Sequence, residues 1–287
     1  MIELFLKEKC IFTSYQDEIV ATSGNTYEIE SDGRIGAGGN GVVYKCISSD
    51  GSEYAVKILL YFSNKAKNRF KQEISLMKRI HNSHVISYVD EGTIKVRDSG
   101  GNDKNALFVV MELADGNLID YIRKNRKVDY SVYSGQFRGL CEGLKEMHQY
   151  AIHRDIKPEN ILIKGNTWIL SDFGLCEFLN EDEHVDLTGR MEKVGPMYWI
   201  SPEAANYNFF NIDKMGTYSD VYQLAMVFAF VLLGRFPGGV FYPEDTLNTT
   251  KGIRDVIIKS ISNNYNKRPK DGGEMLEMYN EAILKNI

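Results

Sequence analysis

The sequence predicts an α+β fold of two lobes, a small β-rich lobe with one main helix followed by a larger, mostly helical lobe. Three observations carry that expectation. From Tyr27 to about Leu60, strand-like runs alternate with Gly-rich turns. After Gly116, apolar residues recur at three- and four-residue steps, the period of helices that bury one face. The chain has 287 residues, 43% hydrophobic and 25% charged, enough to bury a core in one large domain or in two lobes around a cleft.

Taken in order, residues 1–26 carry mixed signals and read as an N-terminal extension. Residues 27–112 form the small lobe and 113–287 the large one. GVVYKCI and EYAVKILL read as strands, with SSDG as the hairpin turn between them. Ser63 to Ile80 reads as a helix: Phe70, Ile74, Met77 and Ile80 fall on one face, and Ser63 or Asn64 serves as its N-cap. Two strands come next, around Val85 to Val96 and Leu107 to Leu113, with the polar stretch RDSGGNDKN between them read as a loop. Beyond the Asp-Gly turn near Gly116, Leu118 and Ile122 and then Phe137, Leu140, Leu144 and Met147 mark helices. The apolar run within Tyr222 to Leu233 is too short to span a bilayer and reads as a buried helix.

Composition narrows the function. A formal net charge of −5 gives no global basic field for nucleic acid or an anionic membrane. Cys10, Cys46, Cys141 and Cys176 form no C-x-x-C pair, which argues against a disulfide framework or zinc site and for a reducing compartment. His81 and His84 lack a nearby carboxylate or cysteine pair and read as a helix-end feature rather than a metal site. The start, MIELFLKEKC, lacks the long apolar region of a signal peptide. A soluble, cytoplasmic protein without an anchor of its own is the expectation.

The chemistry-bearing residues are clustered. Gly36, Gly38 and Gly41 fit G-x-G-x-x-G, and the third glycine opens the β-branched and aromatic run Val42, Val43, Tyr44. That run favours a hairpin over nucleotide phosphates rather than the helix of a dinucleotide fold. Lys57 lies among apolar residues and needs a counter-charge, because a lone buried charge is costly. Glu73, mid-helix beside Ile74 and Met77, is the natural candidate. Later comes His153 to Asn160, HRDIKPEN, and twelve residues after Asn160 the triplet Asp172-Phe173-Gly174. These supply a carboxylate for a hydroxyl proton and two oxygen ligands for Mg²⁺, the groups that phosphoryl transfer requires.

With these motifs the chain resembles the eukaryotic-type (Hanks-type) protein kinase superfamily from about residue 30 to 275. The resemblance implies an enzyme that transfers the γ-phosphoryl group of ATP to a hydroxyl of a protein substrate. It implies that Asp155 accepts the hydroxyl proton, Lys157 contacts the γ-phosphate, and Asn160 and Asp172 hold Mg²⁺. Lys57, paired with Glu73, would reach the α and β phosphates under the Gly-rich loop. Val43 and Ala55 would pack on adenine, Met111 would lie behind it, and Glu112 and Leu113 would offer backbone groups. His153 and Phe173 would pack with Met77, Glu203 would pair with Arg268, and Asp220 would anchor the catalytic loop. Arg154 implies control by a phosphate on the segment Asp172–Glu203, whose one threonine is Thr188.

Two features depart from the pattern. Ser201 stands for alanine in A-P-E, and Gly195-Pro196-Met197-Tyr198-Trp199 looks more like the tyrosine branch. Lys157 is the serine/threonine form and acts in the chemistry itself. Serine/threonine specificity is therefore expected, with dual specificity, a pseudokinase scaffold and a small-molecule phosphotransferase as alternatives.

Overall fold

A computed structural model describes residues 2–7, 10–14, 17–37, 41–180, 198–238 and 249–284. These form two compact units, residues 1–79 with 86–114 and residues 80–85 with 115–287, dividing between Ala114 and Asp115.

The first unit is an eight-stranded antiparallel sheet with one helix. Its strands are β1 (Ile2–Lys7), β2 (Cys10–Ser14), β3 (Glu18–Val20), β4 (Thr26–Ala37), β5 (Gly41–Ser48), β6 (Glu53–Leu59), β7 (Tyr88–Arg97) and β8 (Asp103–Glu112). They pair in the order β1-β2-β7-β8-β6-β5-β4-β3. Side chains alternate across each strand. Val42, Tyr44, Val56, Ile58, Phe108 and Val110 thus turn to the buried core face. The sheet curls until β3 meets β7 again: Ala21 bridges Gly92, and the Thr22 N–H donates to the Glu91 carbonyl at 2.7 Å. This seam needs glycine, because a Cβ at Gly92 would lie 2.5 Å from the Phe108 ring and 3.2 Å from the Val20 carbonyl.

The first 26 residues, which sequence reading leaves as an extension without elements, therefore supply three strands of the sheet. Asp90 fixes the seam, accepting hydrogen bonds from the Ser23 hydroxyl, Tyr27 (3.4 Å) and the Glu91 N–H (2.9 Å). RDSGGNDKN also differs from its reading as a loop. Only Asp98–Asn102 turns, closed by Asp98 N–H to Asn102 carbonyl at 3.0 Å, and β8 begins at Asp103. Helix α1 (Asn64–Arg79) buries Phe70, Ile74 and Met77 as their spacing predicts, and the Ser63 hydroxyl accepts from the Ala66 N–H at 3.1 Å as an N-cap does.

The second unit is mostly helical: α2 (Leu118–Lys124), α3 (Tyr130–Met147), α4 (Pro202–Phe210), α5 (Thr217–Leu233), α6 (Lys251–Ser260) and α7 (Gly272–Leu284). Short strands β9 (Gly116–Asn117), β10 (Ala151–Ile152), β11 (Ile161–Lys164), β12 (Thr167–Leu170) and β13 (Glu177–Phe178) join them, in sheets β12-β11-β9 and β10-β13. Helix α5 is apolar nearly all round because it runs through the core, with Val221, Leu224, Ala225, Val227 and Phe228 at 0% exposure. Phe137 of α3 stacks on Phe228 at 3.8 Å between ring centroids. Among the described residues no helix is long and apolar enough to cross a membrane.

His84 is a packing residue in this unit. Its Nδ1 lies 2.8 Å from the Trp168 carbonyl, and its ring occupies the space a side chain at Gly139 would need, 2.0 Å from a Cβ built there. Gly139→Ala is expected to destabilise the protein. Overpacking costs about 1–3 kcal/mol, against a gain in helix propensity of about 1 kcal/mol. Chemical unfolding measures the balance, and a variant as stable as the wild type would reject the tight His84–Gly139 fit. Cys46 and Cys141 are fully buried, and burial pushes the Cys46 thiol up to about 12 and that of Cys141 higher still. Both behave as small hydrophobes.

Candidate active site

The sequence-predicted residues fall into one cluster in each unit. In the β-rich unit, cross-strand register aligns Gly36 with Val43, Val43 with Lys57, and Lys57 with Val109; Ala55 pairs with Met111. Val43, Ala55, Lys57 and Met111 thus share the sheet face opposite the Val42–Tyr44–Val56–Ile58 core face. Lys57 Nζ donates to Glu73 Oε1 at 2.6 Å, with the two residues only 9% and 4% exposed. Such a pair is short because both groups are charged and water is excluded.

Gly41 has a structural reason beyond phosphate access. A Cβ there would lie 2.3 Å from the Ile58 carbonyl across the β5–β6 ladder. Gly36, by contrast, has room for a Cβ, 3.8 Å from Val43. Gly38 lies outside the described residues. Of the segment expected to touch adenine, the Glu112 N–H donates to the Ser87 carbonyl at 3.2 Å and its Oε1 accepts from the Ser87 N–H at 2.8 Å. Leu113 is half-buried at the end of this unit.

In the helical unit, His153 to Asn160 runs from the end of β10 through a closing 3-10 turn, Pro158–Asn160. Two side chains from the first turns of α5 hold its backbone. Asp220 accepts from the N–H groups of His153 (2.6 Å) and Arg154 (2.8 Å), and Gln223 Oε1 accepts from the Ile156 N–H (3.0 Å). Asp220, at 0% exposure, also meets His148 Nε2 at 3.0 Å. These contacts keep Arg154 in the left-handed region, at φ 70°, a conformation costly for a non-glycine residue.

The motif residues converge on one carboxylate. Asp155 Oδ2 accepts from Lys157 Nζ at 2.8 Å and from Asn160 Nδ2 at 2.8 Å. Asn160 Nδ2 also donates to the Asp155 carbonyl at 2.9 Å, and the Asn160 carbonyl accepts from both the N–H and the hydroxyl of Ser171 at 2.9 Å. Ser171 thereby ties the loop to Asp172, whose left-handed φ of 62° turns the chain at the DFG triplet. The Asp155 N–H donates to His153 Nδ1 at 3.3 Å, which leaves the ring proton on Nε2, 3.2 Å from the Ser171 carbonyl. Phe173 packs edge-on against His153 at 5.3 Å. Burial raises the Asp155 carboxyl above its ordinary value, the Asp172 charge adds to the rise, and Lys157 opposes it.

The donor set fits Mg²⁺. Asn160 offers an amide oxygen and Asp172 a carboxylate, hard ligands of the kind Mg²⁺ accepts alongside substrate phosphates and water. No group of three or more His, Cys, Asp or Glu side chains able to hold a metal by themselves occurs among the described residues.

Glu203 and Arg268 form the buried pair that their motifs imply, at 2.8 and 2.9 Å. Thr188, Gly195, Pro196 and Met197 lie outside the described residues. Sequence reasoning does not single out Gln223, His148 or Glu177, whose carboxylate pairs with Arg154. Gln223 is findable, since it sits three residues after Asp220 on the same helical face. His148 and Glu177 carry no such signal.

This arrangement belongs to a known class. The protein kinase domain family matches residues 29–281, and the chain belongs to that family. Its β-rich and helical units are the two lobes of the kinase fold. It is similar to a G-type lectin S-receptor-like serine/threonine-protein kinase of Arabidopsis thaliana, 27% identical over 92% of this chain and 31% of that protein. It is also similar to mitogen-activated protein kinase kinase kinase 1 of the same plant, 29% identical over 84% of this chain and 40% of that protein. A probable serine/threonine-protein kinase of Clostridium acetobutylicum is 29% identical over 77% of this chain and 31% of its own length. The chain thus spans about a third of the length of the relatives it matches.

Proposed function

We propose that this chain is an ATP-dependent protein kinase that phosphorylates serine or threonine hydroxyls of a protein substrate. The observation that carries the reading is the convergence of Lys157 and Asn160 on the Asp155 carboxylate, in a domain of the protein kinase family. Asp155 orients the acceptor hydroxyl and takes its proton. Lys157, 2.8 Å from that carboxylate, offsets negative charge that develops on the transferred phosphoryl oxygens. Asn160 and Asp172 hold Mg²⁺, which supplies charge neutralisation for the phosphates. Lys57, kept straight by Glu73, contacts the α and β phosphates beneath the loop of Gly36, Gly38 and Gly41. Val43, Ala55, Met111, Glu112 and Leu113 receive the adenine.

Lys157 and the names of the relatives both support serine/threonine specificity. The test is transfer from γ-labelled ATP with Mg²⁺ to a generic protein acceptor, followed by phosphoamino-acid analysis. Phosphoserine or phosphothreonine is the expected product, and phosphotyrosine alone would reverse the assignment. Lys57→Met is expected to cost about a hundredfold or more in turnover, the scale for losing one preorganised charge-stabilising donor. It also strands Glu73 in the interior, so Lys57→Met combined with Glu73→Gln should regain stability without regaining turnover. Transfer at the wild-type rate in either variant would remove Lys57 from the mechanism.

A further inference from the structure

The end of α2 and the turn into α3 read Arg123-Lys124-Asn125-Arg126-Lys127, a dense run of cations in a chain whose 39 acidic residues outnumber its 34 lysines and arginines. Another cation joins the run from the far end of α5. A Cβ at Gly234 would lie 2.3 Å from the Arg126 carbonyl, so the two backbones touch there, and Arg235 follows directly. The turn is ordered. The Asn125 N–H and Nδ2 both donate to the Tyr121 carbonyl, at 2.8 and 3.1 Å, and the Asp129 carbonyl accepts from the N–H groups of Val132 and Tyr133 as α3 begins. Arg123, Lys124, Arg126, Lys127 and Arg235 are all exposed.

The fold does not account for all of these charges. Arg123 pairs with Asp120 at 3.0 Å, and Lys124 suits the negative C-terminal end of α2. Arg126 and Lys127 instead precede the positive N-terminal end of α3, where a cation is unfavourable. Asp129, also exposed, is the one carboxylate in the turn between the two helices. Among the described residues, Lys124, Arg126, Lys127 and Arg235 form no ion pair. Like charges gathered on an ordered turn repel one another, and an anion relieves that repulsion at little ordering cost. The cluster is also near the chemistry. Helix α2 packs against the 3-10 turn Pro158–Asn160 that closes the catalytic loop, and a helix of this length spans about 10 Å, the reach of about three extended residues.

We propose that Lys124, Arg126, Lys127 and Arg235 dock an acidic stretch of the protein substrate that begins about three residues from the accepting hydroxyl. The proposal deepens the kinase reading and rests on it. A short acidic segment fits better than a nucleic acid or a membrane. Exposed charges are screened beyond about 8 Å, so a short peptide meets the cluster alone, whereas an extended polyanion also meets the rest of a chain of net charge −5. The run Arg123 to Lys127 has no apolar side chain to insert into a bilayer.

The test compares two peptides with one serine core, flanked by glutamate runs in the first and by glutamine runs in the second. With Mg²⁺ and ATP, kcat/KM for the glutamate peptide is expected to be about tenfold higher, the effect of several exposed ion pairs acting together. The difference should lie in KM and should shrink as salt rises from about 0.05 to about 0.3 M. In the variant Lys124→Gln, Arg126→Gln, Lys127→Gln, Arg235→Gln, the ratio between the peptides should fall to about one, a readout that does not depend on how much of the variant is folded. A ratio near one in the wild type, or an undiminished ratio in the variant, would overturn the proposal. If neither peptide is phosphorylated, the kinase reading fails, and fluorescence anisotropy of a dye-labelled glutamate peptide without serine still decides the docking site. Binding about tenfold weaker in the variant upholds it, and equal binding overturns it. Oligothymidylate and phosphatidylserine vesicles enter the same assay, and tighter binding of either through these four residues would overturn the assignment to a protein segment.

Discussion

Asp155→Asn is expected to lower phosphoryl transfer by up to about ten-thousandfold, the upper range for loss of a positioned general base, while leaving the protein at least as stable as the wild type at neutral pH. The geometry explains the split. Both donors that reach the side chain, Lys157 Nζ and Asn160 Nδ2, converge on the same oxygen, Oδ2. An asparagine can turn its carbonyl oxygen to that position and its amide to the other, so both hydrogen bonds survive. What disappears is a carboxylate whose charge is disfavoured by burial and by the neighbouring Asp172.

Because the folded pKa of Asp155 is raised, its ionised form opposes folding at every pH above that value. The penalty is relieved as pH falls through the raised value toward the ordinary one. Wild-type stability should therefore gain from this group on acidification across that window, and Asp155→Asn should lack the gain. Activity runs the other way. The wild-type rate should fall with pH through the same raised value, above the usual carboxylate midpoint of about 3.9. Urea unfolding at several pH values and a pH–rate profile measure both. An Asp155→Asn protein that transfers phosphate normally, or that unfolds more readily at neutral pH, would contradict the account.

The parts of the site legible in the sequence are those made by contiguous residues. His153 to Asn160 is a single loop, so spacing alone brings Asp155, Lys157 and Asn160 together. The α1 helix is legible too, because Phe70, Ile74 and Met77 repeat at the helical period and Ser63 caps it. The illegible parts are non-local. The seam between Ala21 and Gly92 joins residues 71 apart, and its one local sign, a glycine, is shared by 25 positions. The first residues of β8 are polar because Asp103 and Asn105 face water, so composition reads them as loop although their backbone pairs with β7. Glu177 looks like any charged surface residue until β13 pairs with β10 and delivers it to Arg154. Gly41 reads in the sequence as a concession to phosphates, yet the Ile58 carbonyl alone demands it.

Arg268→Ala is expected to destabilise the protein by about 3–5 kcal/mol, the range for removing one partner of a buried ion pair. Glu203 and Arg268 meet side by side, two nitrogens on two oxygens, with side chains 1% and 0% exposed. The Ser219 hydroxyl adds a bond to Glu203 Oε1 at 2.7 Å. Arg268 also donates to the Ser262 carbonyl at 2.6 Å and the Tyr218 carbonyl at 3.2 Å, and lies 4.8 Å above the Tyr222 ring. One guanidinium thus joins the start of α4, the first turn of α5 and the chain after α6. Its loss strands a carboxylate without water and frees the turn that carries Asp220 to His153 and Arg154. Arg268→Lys should recover little, because an ammonium cannot serve two carboxylate oxygens and two carbonyls from one plane. The double variant Glu203→Gln with Arg268→Met should be less destabilised than Arg268→Ala, since no charge is left buried. Denaturant unfolding of the wild type, Glu203→Gln, Arg268→Met and the double variant gives the coupling. Strict additivity of the two single losses, or an Arg268→Ala protein within about 1 kcal/mol of wild type, would mean that the pair is ornament on a core that holds without it.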